Sequence, residues 1–119
     1  QSDLSGIIDF YFACNDFLAY DIAVSINAWC FDENEFFDLE KSRSILTAYN
    51  QTRALCQEEV LSLPVLIRGS AIRFLLTRLY DWLNHPEDAL VKPKDPMSYL
   101  KKLRFHQQIT DASSYGAKI

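Results

Sequence analysis

The sequence predicts a mainly α-helical fold with one short strand near its N-terminus. Long apolar stretches with helical spacing fill residues 16–31 and 64–84, and proline and asparagine residues mark the helix ends. A single apolar, β-branched run near the start is typical of a strand. The 119 residues are enough for one domain with one core, so we expect a single domain over residues 1–119.

The predicted strand covers Leu4 to Phe10. It combines an apolar run with the pair Ile7 and Ile8. A strand cannot satisfy its own backbone N–H and C=O groups, and no later part of the sequence has a strand-like pattern. We therefore expect its ladder partner, and part of the fold, to lie outside this sequence.

The first predicted helix runs from an N-cap at Asp16 to about Phe31. It is apolar nearly all round, which predicts burial on most sides. Asp21 and Asn27 lie inside it, so both polar side chains should need hydrogen-bond partners. An acidic loop, residues 32–38, follows.

The remaining predicted elements are helices joined by short turns. We expect a surface helix from Leu39 to about Tyr49, a turn over residues 50–56 and a short helix over residues 57–63. Pro64 then fits the first turn of the longest helix, which ends near Asn84. An extended loop over residues 86–95 leads to a last helix over residues 97–107, with Met97, Leu100 and Leu103 on its apolar stripe and Tyr99 beside them. The small, polar tail over residues 109–119 should fray.

The charge distribution separates the chain into two parts. Residues 1–40 hold nine of the sixteen acidic residues and none of the twelve basic ones. These carboxylates are either solvated helix faces or, for some, ligands of a cation such as Mg²⁺. The scattered bases and the acidic balance disfavour nucleic-acid binding. We also expect no membrane span, no signal peptide and a reducing, cytoplasmic compartment, because the three cysteines form no CxxC pair.

Two carboxylates carry the chemical prediction. Asp9 lies at the end of the predicted strand, where the backbone is fixed and the carboxylate can reach a metal ion. Asp21 lies twelve residues later, where it can accept N–H groups from a nearby loop and hold that loop in place. Each also has an ordinary interpretation, as a strand terminator and as a hydrogen-bonded helix residue.

Three blocks of sequence resemble one enzyme family in the same order. IIDFYFACNDFLAYDIA, RFLLTRLYDW and KDPMSYLKKLRFH are similar to segments of the bacterial homoserine kinases, in the aminoglycoside phosphotransferase and choline kinase superfamily. The resemblance covers residues 4–106. It implies the helical C-terminal subdomain of a protein-kinase-like fold, and transfer of the γ-phosphoryl group of ATP to the hydroxyl of homoserine in threonine biosynthesis.

The resemblance assigns roles to individual residues. Asp9 matches the aspartate that binds the Mg²⁺ bridging the phosphates of ATP, and Asp21 matches the helix aspartate that buttresses the catalytic loop. Trp29 falls where choline-kinase relatives place a pocket-lining tryptophan, although a core position is the commoner use. The catalytic-loop aspartate after a histidine, the asparagine that follows it and a glycine-rich phosphate loop do not occur in this sequence. The 119 residues alone should therefore be inactive.

The remaining candidates concern the substrate and the partners. Arg73 and Arg78 could bind the substrate carboxylate, or form an ion pair with Asp81 or another acid. Asn15 and Asp16 could contact the substrate ammonium, or cap the first helix. The expected partner is homoserine, without nucleic acid or membrane, and residues 4–10 could mediate self-association. The alternatives are a non-catalytic helical protein-binding module and a related kinase acting on choline, ethanolamine or an aminoglycoside.

Overall fold

The computed structural model describes residues 3–11, 13–88 and 90–117. Four α-helices and one 3₁₀ helix follow in order: α1 (Leu18–Trp29), α2 (Leu39–Thr52), α3 (Gln57–Asn84), α4 (Met97–Gln107) and the 3₁₀ helix (Ala112–Tyr115). The core lies where α1 packs on α3, and α2, α4 and the 3₁₀ helix close it. The predicted mainly α-helical class is confirmed.

The N-terminal strand is not formed. Asp3 to Phe10 have no regular secondary structure, and Leu4 and Ile8 are 83% and 88% exposed. The described residues contain one isolated antiparallel bridge, between Phe31 and Phe37, and no strand that could pair with this segment. A strand without a ladder partner leaves its amide and carbonyl groups to water, so this part of the prediction is wrong for the chain by itself.

Helix α1 is shorter and more amphipathic than its sequence suggests. Asp16 Oδ1 accepts a hydrogen bond from the Phe17 N–H at 2.7 Å, but the N-cap is Phe17 and the helix ends at Trp29. One face buries Ile22 and Ile26, whereas Asp21 and Trp29 are exposed. The prediction of burial for Asp21 is therefore wrong, because an apolar composition did not specify which side faces the core.

The loop between α1 and α2 is fixed by two aspartates. Asp32 Oδ1 accepts N–H groups from Asn34 and Phe36, at 2.8 and 2.9 Å. Asp38 then caps α2 by accepting the Lys41 N–H at 3.0 Å. Helix α2 continues to Thr52, three residues beyond its predicted end, so the predicted turn is shorter than residues 50–56.

Helix α3 is a single 28-residue helix rather than two. Glu59 accepts the Cys56 N–H at 3.0 Å at its start, and the guanidinium of Arg53 beside Glu59 lowers the pKa of that carboxyl to about 2. Pro64 lies inside the helix, where it removes one backbone hydrogen bond. The helix nevertheless continues, since Val60 and Leu63 lie on the same buried face as Ile67.

The outer face of α3 is apolar and exposed. By length and composition alone this helix could cross a membrane, which is weak evidence because the core helix of a soluble protein passes the same test. Its inner face belongs to the core described above. The exposed face is a stripe of six aliphatic side chains, which we call the α3 stripe: Leu61, Val65, Ile72, Leu76, Leu79 and Leu83.

The C-terminal part differs from its prediction in two ways. The buried face of α4 carries Tyr99, Lys102 and His106, whereas Met97 is 51% exposed. The described tail does not fray: Tyr115 is fully buried, and Ser42 Oγ donates to its carbonyl oxygen at 2.7 Å. A tail with few large apolar residues is thus held by one aromatic anchor and a buried hydrogen bond.

Candidate functional site

Asp9 lies in an exposed segment with an unusual backbone conformation. Its φ of 70° is in the left-handed region, which aspartate tolerates better than most residues. The Ala13 N–H donates to the Phe10 carbonyl oxygen at 3.0 Å and forms a turn just after it. The described part of the chain brings no group of three His, Cys, Asp or Glu side chains together for a metal ion. Mg²⁺ commonly uses one or two protein carboxylates with phosphate oxygens and water, so a single aspartate fits that ion when other ligands complete the site.

The predicted residues around the start of α1 are all open to solvent. Asp21 lies in the first turn of α1, where the positive end of the helix dipole favours a carboxylate. Asn15 and Asp16 precede the helix and are exposed. The hydrogen bond from the Phe17 N–H to Asp16 Oδ1 supports a local role for Asp16 at the start of the helix, although the residue remains exposed. Together these residues form a polar, accessible approach to the N-terminus of α1.

Trp29 lies at the opposite end of α1 from Asp21. Eight residues of helix place the two Cα atoms ~12 Å apart along the axis. The indole is 66% exposed and borders an open cleft of about 420 Å³ with Asp38, Lys41 and Ile45 from the start of α2. Trp29 is therefore not a core residue, and its ring faces a cleft separate from Asp21.

The structure separates the two candidate arginines. Arg73 is exposed, and its guanidinium lies 5.2 Å from the centroid of the Phe74 ring. Arg78 is half-buried, lies 4.4 Å from the centroid of the Tyr99 ring and donates from Nη1 to the Asp95 carbonyl oxygen at 3.2 Å. The ion pairs of the described residues include neither arginine, so the predicted pairing with Asp81 is wrong in this structure.

Arg78 lines a cleft of about 420 Å³ between α1, α3 and α4. We call it the cationic cleft, because three of its seven lining residues are basic. Its lining consists of Val24, Ala28, Phe74, Arg78, Lys94, Tyr99 and Lys102. Lys94, Tyr99 and Lys102 were not among the site residues predicted from the sequence; the spacing of Tyr99, Lys102 and His106 on α4 was the available signal, because it matches one helix face.

A buried polar network lies directly behind the cleft. Lys102 Nζ donates to the Asn27 carbonyl oxygen at 2.8 Å and pairs with Glu35 Oε2 at 3.3 Å. Asn27 Nδ2 donates to the carbonyl oxygens of Ala23 and Ile67, at 3.2 and 3.0 Å. Asn27 Oδ1 therefore faces His106 Nε2, 3.0 Å away. The predicted need of Asn27 for partners is met in full.

His106 completes this network as a neutral imidazole. Because Asn27 presents an oxygen, Nε2 carries the proton and Nδ1 accepts from the Tyr115 hydroxyl at 2.9 Å. Burial, with the charges of Lys102 and Arg68, lowers the pKa of His106 to about 4. Burial also raises the pKa of the Tyr115 hydroxyl. The network thus fixes α1, α4 and the 3₁₀ helix relative to one another and sets the back wall of the cationic cleft.

Comparison with known proteins shows similarity to enzymes. Residues 1–55 match the model of the phosphotransferase enzyme family, a span that contains Asp9, Asp21 and Trp29. The chain is 61% identical over 113 residues to homoserine kinase of Xanthobacter autotrophicus, covering 95% of the chain and 35% of that protein. It is 56% and 58% identical over 117 residues to homoserine kinases of Chelativorans sp. and Rhodopseudomonas palustris, covering 98% of the chain and 36% of each protein.

These matches span nearly all of this chain but about a third of each relative, and a C-terminal portion of those enzymes fits this coverage. The resemblance drawn from the sequence blocks is therefore confirmed: the chain is similar, over almost its whole length, to a segment of bacterial homoserine kinases, and its residues 1–55 match the phosphotransferase enzyme family.

Proposed function

We propose that this chain is the C-terminal helical subdomain of an ATP-dependent homoserine kinase. The observation that carries the proposal is identity of 56–61% over 95–98% of the chain with homoserine kinases. The whole enzyme would transfer the γ-phosphoryl group of ATP to the homoserine hydroxyl, a cytoplasmic step of threonine biosynthesis. The chain would contribute metal-holding, loop-positioning and substrate-binding side chains as one domain.

Asp9 would hold Mg²⁺ beside the phosphates of ATP. Bound Mg²⁺ supplies neutralisation of the phosphate charge during transfer. Three observations support this role for Asp9: the family match includes it, its carboxylate is exposed, and its left-handed backbone is of the kind that clusters at functional sites. The described part of this chain brings no group of three candidate ligand side chains together, so the other ligands would come from the nucleotide, water and the rest of the enzyme.

Asp21 would position the catalytic loop. A carboxylate in the first turn of α1 can accept backbone N–H groups from a loop that packs against the helix N-terminus. The exposure of Asp21 supports this role, because its partner would be a segment that this chain does not contain. Asn15 and Asp16 lie just before the helix and are exposed, which leaves both accessible to a ligand in the whole enzyme.

The chain by itself would lack catalysis. Phosphoryl transfer depends almost entirely on positioning and electrostatic stabilisation of the transferring group. The aspartate that would orient the homoserine hydroxyl has no match in this sequence. We therefore expect the 119 residues to phosphorylate no homoserine above background.

A hybrid enzyme tests the proposal. The segment of the Xanthobacter autotrophicus homoserine kinase that matches this chain is replaced by residues 1–119, and phosphorylation of homoserine, choline, ethanolamine and an aminoglycoside is assayed. ATP-dependent transfer to homoserine in preference to the other three supports the proposal. A folded hybrid that leaves homoserine unmodified, or that prefers choline, contradicts it.

The alternative of a non-catalytic module that binds a protein has one observation in its favour. The α3 stripe exposes six aliphatic side chains along one helix face, and exposed apolar surface of this kind is typical of a protein-binding face. In the hybrid, Leu76→Lys separates the two functions. A protein-binding module would lose binding without a change in turnover, whereas a subdomain that packs into a larger lobe would lose stability and turnover together.

A further inference from the structure

We propose that the cationic cleft binds a small carboxylate through Arg78 and Lys94; this rests on the proposed function, in which the ligand is the α-carboxylate of homoserine. The cleft is a three-sided site: α1 supplies Val24 and Ala28, α3 supplies Arg78, and the loop before α4 supplies Lys94. It is thus formed by parts of the chain that are distant in sequence and meet only in the folded structure.

Arg78 is held in a fixed direction with donors to spare. The Tyr99 ring packs against its guanidinium, 4.4 Å from the ring centroid, and the Phe74 ring stacks on Tyr99 with centroids 5.3 Å apart. One hydrogen bond, from Nη1 to the Asp95 carbonyl oxygen, uses part of the five-donor fork. A planar fork held on an aromatic face is suited to two parallel hydrogen bonds with a carboxylate.

The charges of the cleft are not balanced. Lys102 is buried and paired with Glu35, so its charge is compensated. The ion pairs found among the described residues include neither Arg78 nor Lys94. Two positive charges therefore line the same cleft, and no carboxylate of the described residues lies within ion-pair distance of them, which favours an anionic ligand.

The apolar wall limits what that anion can be. Val24 and Ala28 supply apolar lining to the same cleft, where a short aliphatic chain can pack. They follow Asp21 on one face of α1, at intervals of three and four residues. A small organic carboxylate with a short aliphatic chain fits this lining better than an inorganic anion.

The test is a titration of the 119-residue chain followed by amide chemical shifts. The probes are L-homoserine, homoserinol (in which a hydroxymethyl group replaces the carboxylate) and inorganic phosphate. Saturable shifts centred on residues 24–28, 74–78 and 94–102 with homoserine, and none with homoserinol, support the proposal. Loss of the charge-assisted pair in Arg78→Gln should weaken homoserine binding about tenfold or more.

Two further variants make the test specific. Lys94→Gln removes the second cation without removing the guanidinium that packs on Tyr99, so it should weaken binding even where Arg78→Gln fails to fold. Arg104→Gln, at an exposed position of α4, is the matched control and should bind as the original chain does. Equal binding of homoserine by Lys94→Gln and the control, equal shifts with homoserinol, or stronger binding of phosphate would each overturn the proposal.

The binding titration tests the carboxylate site independently of turnover. A chain that binds the carboxylate while the hybrid enzyme fails to phosphorylate homoserine contradicts the proposed function and leaves the carboxylate site standing. An active hybrid whose KM for homoserine is unchanged by Lys94→Gln contradicts the carboxylate site alone.

Discussion

His106 Nε2 lies 3.0 Å from Asn27 Oδ1 and joins helix α4 to helix α1 inside the core. Both side chains are fully buried. The two hydrogen bonds that Asn27 Nδ2 donates to main-chain carbonyl oxygens orient the side-chain amide, so that Oδ1 faces His106. Burial disfavours the charged imidazolium, so the ring is held in its neutral form with the proton on Nε2. The pair therefore makes the stability of the fold depend on the protonation of one histidine.

The first prediction is an acid-sensitive stability caused by His106. Its pKa falls from an ordinary 6.5 to about 4 in the folded chain, so the unfolded chain binds the proton first. The stabilisation is complete above pH 6.5 and is lost as pH falls from 6.5 to 4, by roughly 3 kcal/mol in all. The free energy of unfolding measured in urea should therefore decrease as the pH falls across this range.

The variant His106→Gln separates this effect from titration of the carboxylates. It should be less stable at pH 7, with a much smaller loss between pH 6.5 and 5. His85→Gln is the matched control, since His85 is exposed, and it should retain the full slope. An unchanged slope in His106→Gln would show that another group is responsible.

The second prediction concerns the buried ion pair of Lys102 and Glu35. Lys102→Met leaves the half-buried Glu35 carboxylate without its partner, and should destabilise the fold by about 3–5 kcal/mol. Adding Glu35→Gln removes the unpaired charge and should restore much of that loss. Chemical denaturation of the single and double variants measures the coupling, and Lys101→Met, at an exposed position, serves as control. Simple addition of the two single effects would rule out the coupling.

The third prediction concerns the anchored tail. Tyr115→Ala should cost about 3–5 kcal/mol, because it empties a fully buried aromatic site. Tyr115→Phe keeps the ring and removes the hydroxyl that His106 accepts from, so it should cost about 1 kcal/mol. Ser114→Ala, at the exposed neighbouring position, should have little effect. Equal thermal stability of Tyr115→Ala and the original chain would mean that the tail contributes nothing to the fold.

The sequence predicted the helices well, and their buried faces less well. The predicted range of α4, residues 97–107, is correct, and the Asp95 carboxylate accepts the Met97 N–H at 2.8 Å at its start. Pro64 misled the prediction for α3: local propensity favours a helix start there, whereas burial of residues on both sides of it favours one continuous helix. The prediction of a fraying tail was wrong for the same reason, because Tyr115 anchors the tail through tertiary contacts.

The candidate site was predictable only in part. Asp9 and Asp21 lie in one short segment that resembles the family, so the sequence alone was enough to propose them as candidates. The cationic cleft joins residues that are up to 78 positions apart, from Val24 to Lys102, and no local pattern connects them. The polar network was hidden for a related reason: Lys102 and His106 on a helix appear solvent-facing until the partner that buries them is known.

The fourth prediction is self-association through residues 4–10. This segment exposes Leu4, Ile7 and Ile8, and an antiparallel pairing of two copies would satisfy their backbone groups. Repulsion between the flanking aspartates is screened within roughly 8 Å at physiological salt, whereas burial of each isoleucine contributes about 1.5–3 kcal/mol. Association should therefore strengthen with salt in sedimentation experiments.

Two substitutions locate the interface. Ile7→Lys should abolish association through the N-terminal segment, whereas Leu76→Lys, in the α3 stripe, should leave it intact. Association that is lost in Leu76→Lys and kept in Ile7→Lys would assign the interface to the α3 stripe instead. A monomer at high concentration, whatever the salt, would exclude both.

The most direct measurement of the central claim compares Asp9→Asn with Asp3→Asn in the active hybrid enzyme, at several Mg²⁺ concentrations. Asp3 is exposed in the same segment and has no assigned role, so its variant controls for the loss of one charge. We expect Asp9→Asn to lower turnover by a factor on the order of 10²–10³ and to raise the Mg²⁺ concentration needed for half-maximal rate, while Asp3→Asn changes neither. Turnover by Asp9→Asn within a few-fold of the control, with the same Mg²⁺ dependence, would contradict it.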